Sequence, residues 1–88
     1  GAAQIYIEML KQEARKLKRM LAITHHEALN IVAQTADWNN WKAIKIEDEM
    51  HARNLINHLN WLKQSAREHN PDNPLLWEYK RWQMRQTH

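Results

Sequence analysis

The chain is predicted to be all-α, a small bundle of four to five helices forming one domain over residues 1–88 with a helix-turn-helix-like corner. Three observations predict it. The only glycine is Gly1 and the two prolines, Pro71 and Pro74, share one short segment, so most of the chain runs without a strong backbone breaker. No run alternates with period two and no Asn-Gly or Asp-Gly hairpin signal occurs, which argues against sheet. Apolar side chains recur at spacings of three and four in several stretches, as amphipathic helices require.

The first helix is expected over about 4–21, with Tyr6, Leu10, Ala14, Leu17 and Leu21 forming its stripe and Met9 and Met20 flanking it. Its other side carries Lys11, Arg15, Lys18 and Arg19, with Lys16 nearby and Glu8 and Glu13 as its acids. Thr24 followed by Glu27 reads as a capping box, a hydroxyl accepting from the backbone near Glu27 while that carboxylate reaches back. A second helix therefore spans about 25–36, presenting Ala28, Leu29, Val32, Ala33 and Ala36 and ending near Asp37.

Asn39 or Asn40 can cap a third helix over about 39–46 carrying Trp41, Ile44 and Ile46. Trp41 and Ile44 fall out of phase with the stripe that follows, which predicts a bend near Ile46. A fourth helix is expected over about 47–69, opened by Glu47, Asp48 and Glu49, whose charge suits a helix N-terminus, and striped by Ala52, Leu55, Ile56, Leu59, Leu62 and Ala66. The segment from Asn70 to Pro74 then breaks the chain, with Asn73 as cap and Pro74 as first helical residue of a fifth helix over about 74–86. That helix mixes Leu75, Leu76, Trp77, Tyr79, Trp82 and Met84 with Lys80, Arg81 and Arg85.

Composition narrows the function classes. Five tryptophans and no phenylalanine imply that part of the core is indole. Without cysteine there are no disulfides and no thiolate metal sites, in keeping with a reducing cytoplasm. No stretch approaches the ~20 apolar residues that span a bilayer and none reads as a signal peptide, so the expectation is a soluble, cytoplasmic protein without membrane association. Gly1-Ala2 has the look of a cloning remnant, which would make the chain an excised domain. The net charge of +3 is unevenly spread. Bases outnumber acids before Thr24 and after Asn60, whereas Glu47, Asp48 and Glu49 make the middle acidic.

Catalysis is not expected. The single serine, Ser65, lies in a helical stretch without a nucleophile elbow, and neither a P-loop nor a dinucleotide fingerprint is present. His51 and His58 are a heptad apart, about 10 Å along a helix, too far to share one ion without further ligands. His25 and His26 are sequential and diverge, so no metal and no cofactor is expected.

Three features point to binding. Residues 23–44 place a capped helix, a tight turn and a second helix within helix-turn-helix length, with Ala33 where such units need a small residue. As a DNA reader the second helix would present Asn39, Asn40, Lys42 and Lys45, since asparagine pairs bidentately with adenine and lysine meets guanine or phosphate. A plain helical corner accounts for the same pattern. On the first helix, Lys11, Arg15 and Lys18 at i, i+4 and i+7, with Arg19 adjoining, can follow a phosphate backbone, although a charged helix face is often only solvated. The fifth helix has aromatics on more than one side, so Leu76, Trp77, Tyr79, Arg81, Trp82 and Arg85 are candidates for a partner surface, homodimerisation included. Covering the core edge would use the same rings.

The segment ITHHEALNIVAQTADWNNWKAI also resembles short helical modules with the pattern H-x-E-A-L, then I/V-A, glycine-aromatic, N-W and a small-aliphatic pair. Such modules occur in bacterial plasmid-associated and phage-associated proteins and beside some glyoxalase-superfamily domains. His25, Glu27, Ala28, Leu29, Val32, Ala33, Trp38, Asn40, Trp41, Ala43 and Ile44 match, and Asp37 stands where glycine is usual. The resemblance covers residues 23–44 and a preceding similar basic helix. It implies a mobile-element setting and structural roles for His25 near a helix start and for Trp41 against the first helix, with Trp38 either packed or free to stack on a base. The partner is thus expected to be nucleic acid, DNA ahead of RNA, or another protein.

Overall fold

The computed structural model describes residues 1–69, and all statements below concern these residues. They form three α-helices, α1 (Ala2–Leu21), α2 (His25–Thr35) and α3 (Glu49–His69), with one 3-10 turn at Trp41–Ala43. The all-α class is as predicted, but the expected helix over 39–46 is reduced to that single turn. The expected helix over 74–86 lies outside the described residues.

α1 is the central element. Tyr6, Leu10, Ala14 and Leu17 are buried along one side, following the predicted stripe. The helix starts at Ala2, two residues before the expected position, and Gly1 offers no side-chain cap. The missing partner comes from a distant residue, for the Ala2 N–H donates to Glu49 Oε1 at 3.3 Å. Lys18 and Arg19 in the last turn face the negative end of the macrodipole, and Ala22 leaves the helix in the left-handed region with φ 54°.

Thr24 caps α2 as predicted, its Oγ1 accepting from the Glu27 N–H at 3.1 Å, and the reciprocal bond from the Glu27 carboxylate is absent among the described residues. The C-terminus of α2 is a Schellman motif. The Trp38 N–H donates to the Ala33 carbonyl at 2.9 Å and the Asp37 N–H to Gln34 at 3.1 Å, with Asp37 at φ 72°. That left-handed position is why the turn favours glycine, and Asp37 occupies it without one.

After this corner the chain is held by α2 side chains. Asn30 Oδ1 accepts from the Trp41 N–H at 3.0 Å and Gln34 Nε2 donates to the Asn39 carbonyl at 3.1 Å. Asn40 Oδ1 caps the 3-10 turn through the Ala43 N–H at 2.9 Å. Ile44 is already extended (φ −66°, ψ 119°). Ile44 and Ile46 are half-buried while Lys45 and Glu47 are exposed, so this stretch alternates as extended chain does. An eight-residue helix is marginal, and here it would forfeit both anchors from α2. The predicted bend near Ile46 is part of this extended link.

Asp48 opens α3 by accepting the His51 N–H at 2.7 Å, while His51 Nδ1 accepts the Glu47 N–H at 3.1 Å. Ala52, Leu59, Leu62 and Ala66 are buried on the predicted stripe, with Leu55 and Ile56 half-buried.

Two sets of contacts fix the topology. Trp38, after the end of α2, donates from Nε1 to the Tyr6 hydroxyl at 2.7 Å near the start of α1, so α1 and α2 are antiparallel. Glu49 meets Ala2, and Lys63 meets Glu13 at 3.0 Å, so α1 and α3 run parallel. The shared core joins Tyr6, Leu10, Ala14 and Leu17 of α1 to Ala28 and Val32 of α2, Ala36 after it and Leu59 of α3. Alanines at these contacts let the helix axes approach closely. No described helix is long and apolar enough to cross a membrane.

Candidate nucleic-acid interface

At 100° per residue, Arg15 and Arg19 fall on the side of α1 opposite Tyr6, Leu10 and Leu17, and Lys11 and Lys18 lie on its flank, nearer the buried Ala14. Lys11 is half-exposed and pairs with Glu8 at 3.7 Å. Arg15, Lys18 and Arg19 are exposed and have no ion pair among the described residues. Lys16 instead lies toward α3, 3.6 Å from Glu13.

Glu13 departs from the sequence reading, which placed it among the charges of the outer side. Its side chain is 7% exposed and sits between Lys16 and Lys63. A carboxylate this buried is tolerated because a cation stands against it. Removing Glu13 from the outer face leaves Glu8 as the acid beside the basic residues.

The second predicted group is placed differently. Lys42 and Lys45 are exposed, but on a connection whose 3-10 turn packs on α2. They are therefore on a separate element from the basic side of α1. Asn40 spends its amide oxygen on the Ala43 N–H, the oxygen that bidentate adenine pairing needs. The Asn39 backbone carbonyl accepts from Gln34 Nε2, a bond that fixes the link and does not involve the Asn39 side chain. A recognition helix is not formed here, since three residues of 3-10 turn cannot present successive base contacts along a groove. The helix-turn-helix expectation is thus corrected to a helix, a Schellman turn and a short extended link.

Charge is also polarised along the molecule. Because α1 and α3 are parallel, Lys18, Arg19, Arg67 and His69 gather in the last turns of the two helices, and Glu49 stands at the other end beside the start of α1. Each basic residue there also favours its own helix dipole.

The aromatic side chains divide by role. Trp38 is half-buried and its N–H is used by Tyr6, which removes it as a free stacking platform. Burial raises the Tyr6 pKa above its ordinary 10.0; the Trp38 N–H lowers it in part and the Asp37 charge adds to the rise. Trp41 is half-buried against the core on the turn that packs on α2, and His25 is exposed at the start of α2. Trp61, which the sequence reading left unassigned, is 61% exposed and stacks on His58 with ring centres 6.0 Å apart. Its position off the Leu55, Leu59, Leu62 stripe was a readable sign of that exposure.

The candidate partner residues Leu76, Trp77, Tyr79, Arg81, Trp82 and Arg85 lie outside the described residues. Among the described residues no three His, Asp or Glu side chains are grouped to hold a metal ion. No protein-family model, curated protein or solved structure matches the chain.

Proposed function

We propose that the chain is a non-catalytic module that binds nucleic acid, DNA ahead of RNA, through phosphate contacts from the outward side of α1. The observation that carries this reading is the set of exposed cations Arg15, Lys18 and Arg19, without ion pairs among the described residues and facing away from the core. Such a surface positions a backbone and carries little base information. Lys11 extends the track toward the start of α1, and Lys42 and Lys45 act as secondary contacts at most. The resemblance of residues 23–44 to plasmid-associated and phage-associated modules supports an accessory role on DNA in a bacterial mobile element. The alternative, a protein-interaction module acting through the aromatic C-terminal segment, draws on no described residue.

The test is fluorescence anisotropy of labelled duplex and single-stranded oligonucleotides at two salt concentrations. Binding should weaken as salt rises. Replacing Arg15, Lys18 and Arg19 together by glutamine should cost at least about tenfold in affinity at low salt and flatten the salt slope by roughly 0.9 per lost contact. Lys42→Gln with Lys45→Gln should change it much less. Absence of binding at low salt overturns the reading.

A further inference from the structure

The parallel pairing of α1 and α3 creates a seam, and both helices bring basic residues to the same edge of it. On α3, Glu49 and Lys63 mark the side that meets α1, through Ala2 and Glu13. Arg67 follows Glu49 by about five full turns, so it points as Glu49 does but at the other end of the helix. It also lies about half a turn around α3 from His58, which meets Asp37 at the end of α2. Arg67 therefore edges the seam on the side away from α2. It is exposed and has no ion pair among the described residues.

On α1, Lys11, Arg15 and Arg19 form a row of i, i+4 spacing that turns about 40° around the helix at each step. The row turns toward Lys16, whose contact with Glu13 at 3.6 Å puts it on the α3 flank. Past Arg19 its continuation leaves α1 and leads to Arg67. From the level of the Glu13–Lys63 pair, Lys16 is ~4.5 Å, Arg67 ~6 Å and Arg19 ~9 Å toward the C-terminal ends, so the three cations lie within about one turn of one another. Glu13 does not tie up Lys16. Lys63, at 3.0 Å, is its nearer partner, while the Lys16 side chain is 55% exposed and free to turn to an anion without stranding the carboxylate. The macrodipole accounts for a base in the last turn of each helix. It is symmetric about the axis, however, and does not account for these bases meeting at one seam.

We propose that Lys16, Arg19 and Arg67 form a phosphate-binding notch across the α1/α3 seam, which carries the nucleic-acid backbone from α1 onto α3. Lys63 stays with Glu13 as its counterion and makes no phosphate contact. This inference rests on the nucleic-acid reading and adds a second helix to the interface.

The test is anisotropy of a labelled duplex with the full chain over a range of salt concentrations. Lys16→Gln and Arg67→Gln should each flatten the salt slope by roughly 0.9, and together they should weaken binding about fivefold at low salt. Arg53→Gln removes the same charge from the same helix ~21 Å from Arg67, at the acidic end, and should leave the slope unchanged. Urea midpoints of all these variants should match the wild type, since the side chains are exposed. If Lys16→Gln and Arg67→Gln have no more effect than Arg53→Gln while the Arg15, Lys18 and Arg19 replacements weaken binding, the notch is overturned and the α1 reading stands. If the wild-type chain does not bind at low salt, both fall.

Discussion

α1 has two neighbours and is joined to them by different physics. Toward α2 the contact is apolar: Leu10, Ala14 and Leu17 share a core with Ala28, Val32 and Ala36, and one hydrogen bond, Trp38 to Tyr6, closes its end. Toward α3 the apolar contribution of Leu59, Ala52, Leu62 and Ala66 is accompanied by directional charge. Glu49 caps the first turn of α1, and Glu13 is buried against Lys63. Burial is tolerant of a small sliding movement, whereas a carboxylate that must meet its ammonium is not. The difference suggests that α2 is held by area and α3 is set in register by charge.

Removing one representative of each contact tests that difference, and these are the largest effects expected. Leu10→Ala empties a fully buried site and should cost about 3 kcal/mol in urea unfolding. Glu13→Ala strands Lys63, whose side chain is 33% exposed, so part of its charge recovers hydration; a cost of roughly 2 kcal/mol is expected, below the range for fully buried pairs. The double replacement Glu13→Met with Lys63→Met should recover most of that loss, because the stranded charge is gone. An additive double variant would show that the pair is not coupled and would remove the contrast between the two sides.

The Tyr6–Trp38 contact supplies a smaller, pH-dependent effect on the α2 side. The folded Tyr6 pKa lies above the ordinary 10.0, mainly through burial, so the folded state keeps the phenol proton that the unfolded chain releases. The associated stability is fully present below pH 10.0 and is lost as pH rises toward and through the folded pKa. Tyr6→Phe should cost about 1 kcal/mol at neutral pH by losing the bond from Trp38. Its urea midpoint should then fall less than the wild-type midpoint between pH 8 and pH 11. Lysines titrate in both proteins, so the difference between the two curves is the measurement. Parallel curves would mean that Tyr6 is not protected in the folded state.

What could be read from the sequence followed the same division. The stripes of α1 and α3 and the Thr24 cap were legible because burial and local capping leave periodic or short-range signatures. The start of α1 was not, since its cap is Glu49, far along the chain. Glu13 was read by its charge as an outer residue, although it lies three after Leu10 and four before Leu17, on the buried arc. The 41–43 turn was overread as a helix because Asn39 and Asn40 look like caps. The deciding contacts come from Asn30 and Gln34 of α2, and the short Ile44, Lys45, Ile46, Glu47 alternation was missed. At the candidate interface, the basic residues of α1 were legible from spacing alone. Their separation from Lys42 and Lys45 depended on how the connection packs.

The smallest expected effect concerns the corner between the two regions. Asp37 holds φ 72° at the end of α2 and its Oδ2 is 3.3 Å from His58 Nε2 on α3, so one residue carries a backbone cost and a contact to α3. Glycine removes the first and forfeits the second. The left-handed conformation costs a residue with a Cβ roughly 1 kcal/mol, less for aspartate than for most, while an exposed pair of this kind contributes only a few tenths. Asp37→Gly should therefore raise stability by about 0.5 kcal/mol. Asp37→Ala keeps the strain and loses the contact, and should lower stability by a similar amount. His58→Gln isolates the pair, and should leave the gain from glycine slightly larger than in the wild-type background. Thermal melts of the wild type, the three single variants and the His58→Gln, Asp37→Gly double variant decide the matter: if alanine and glycine shift the midpoint equally, the backbone conformation at Asp37 is not what limits this corner.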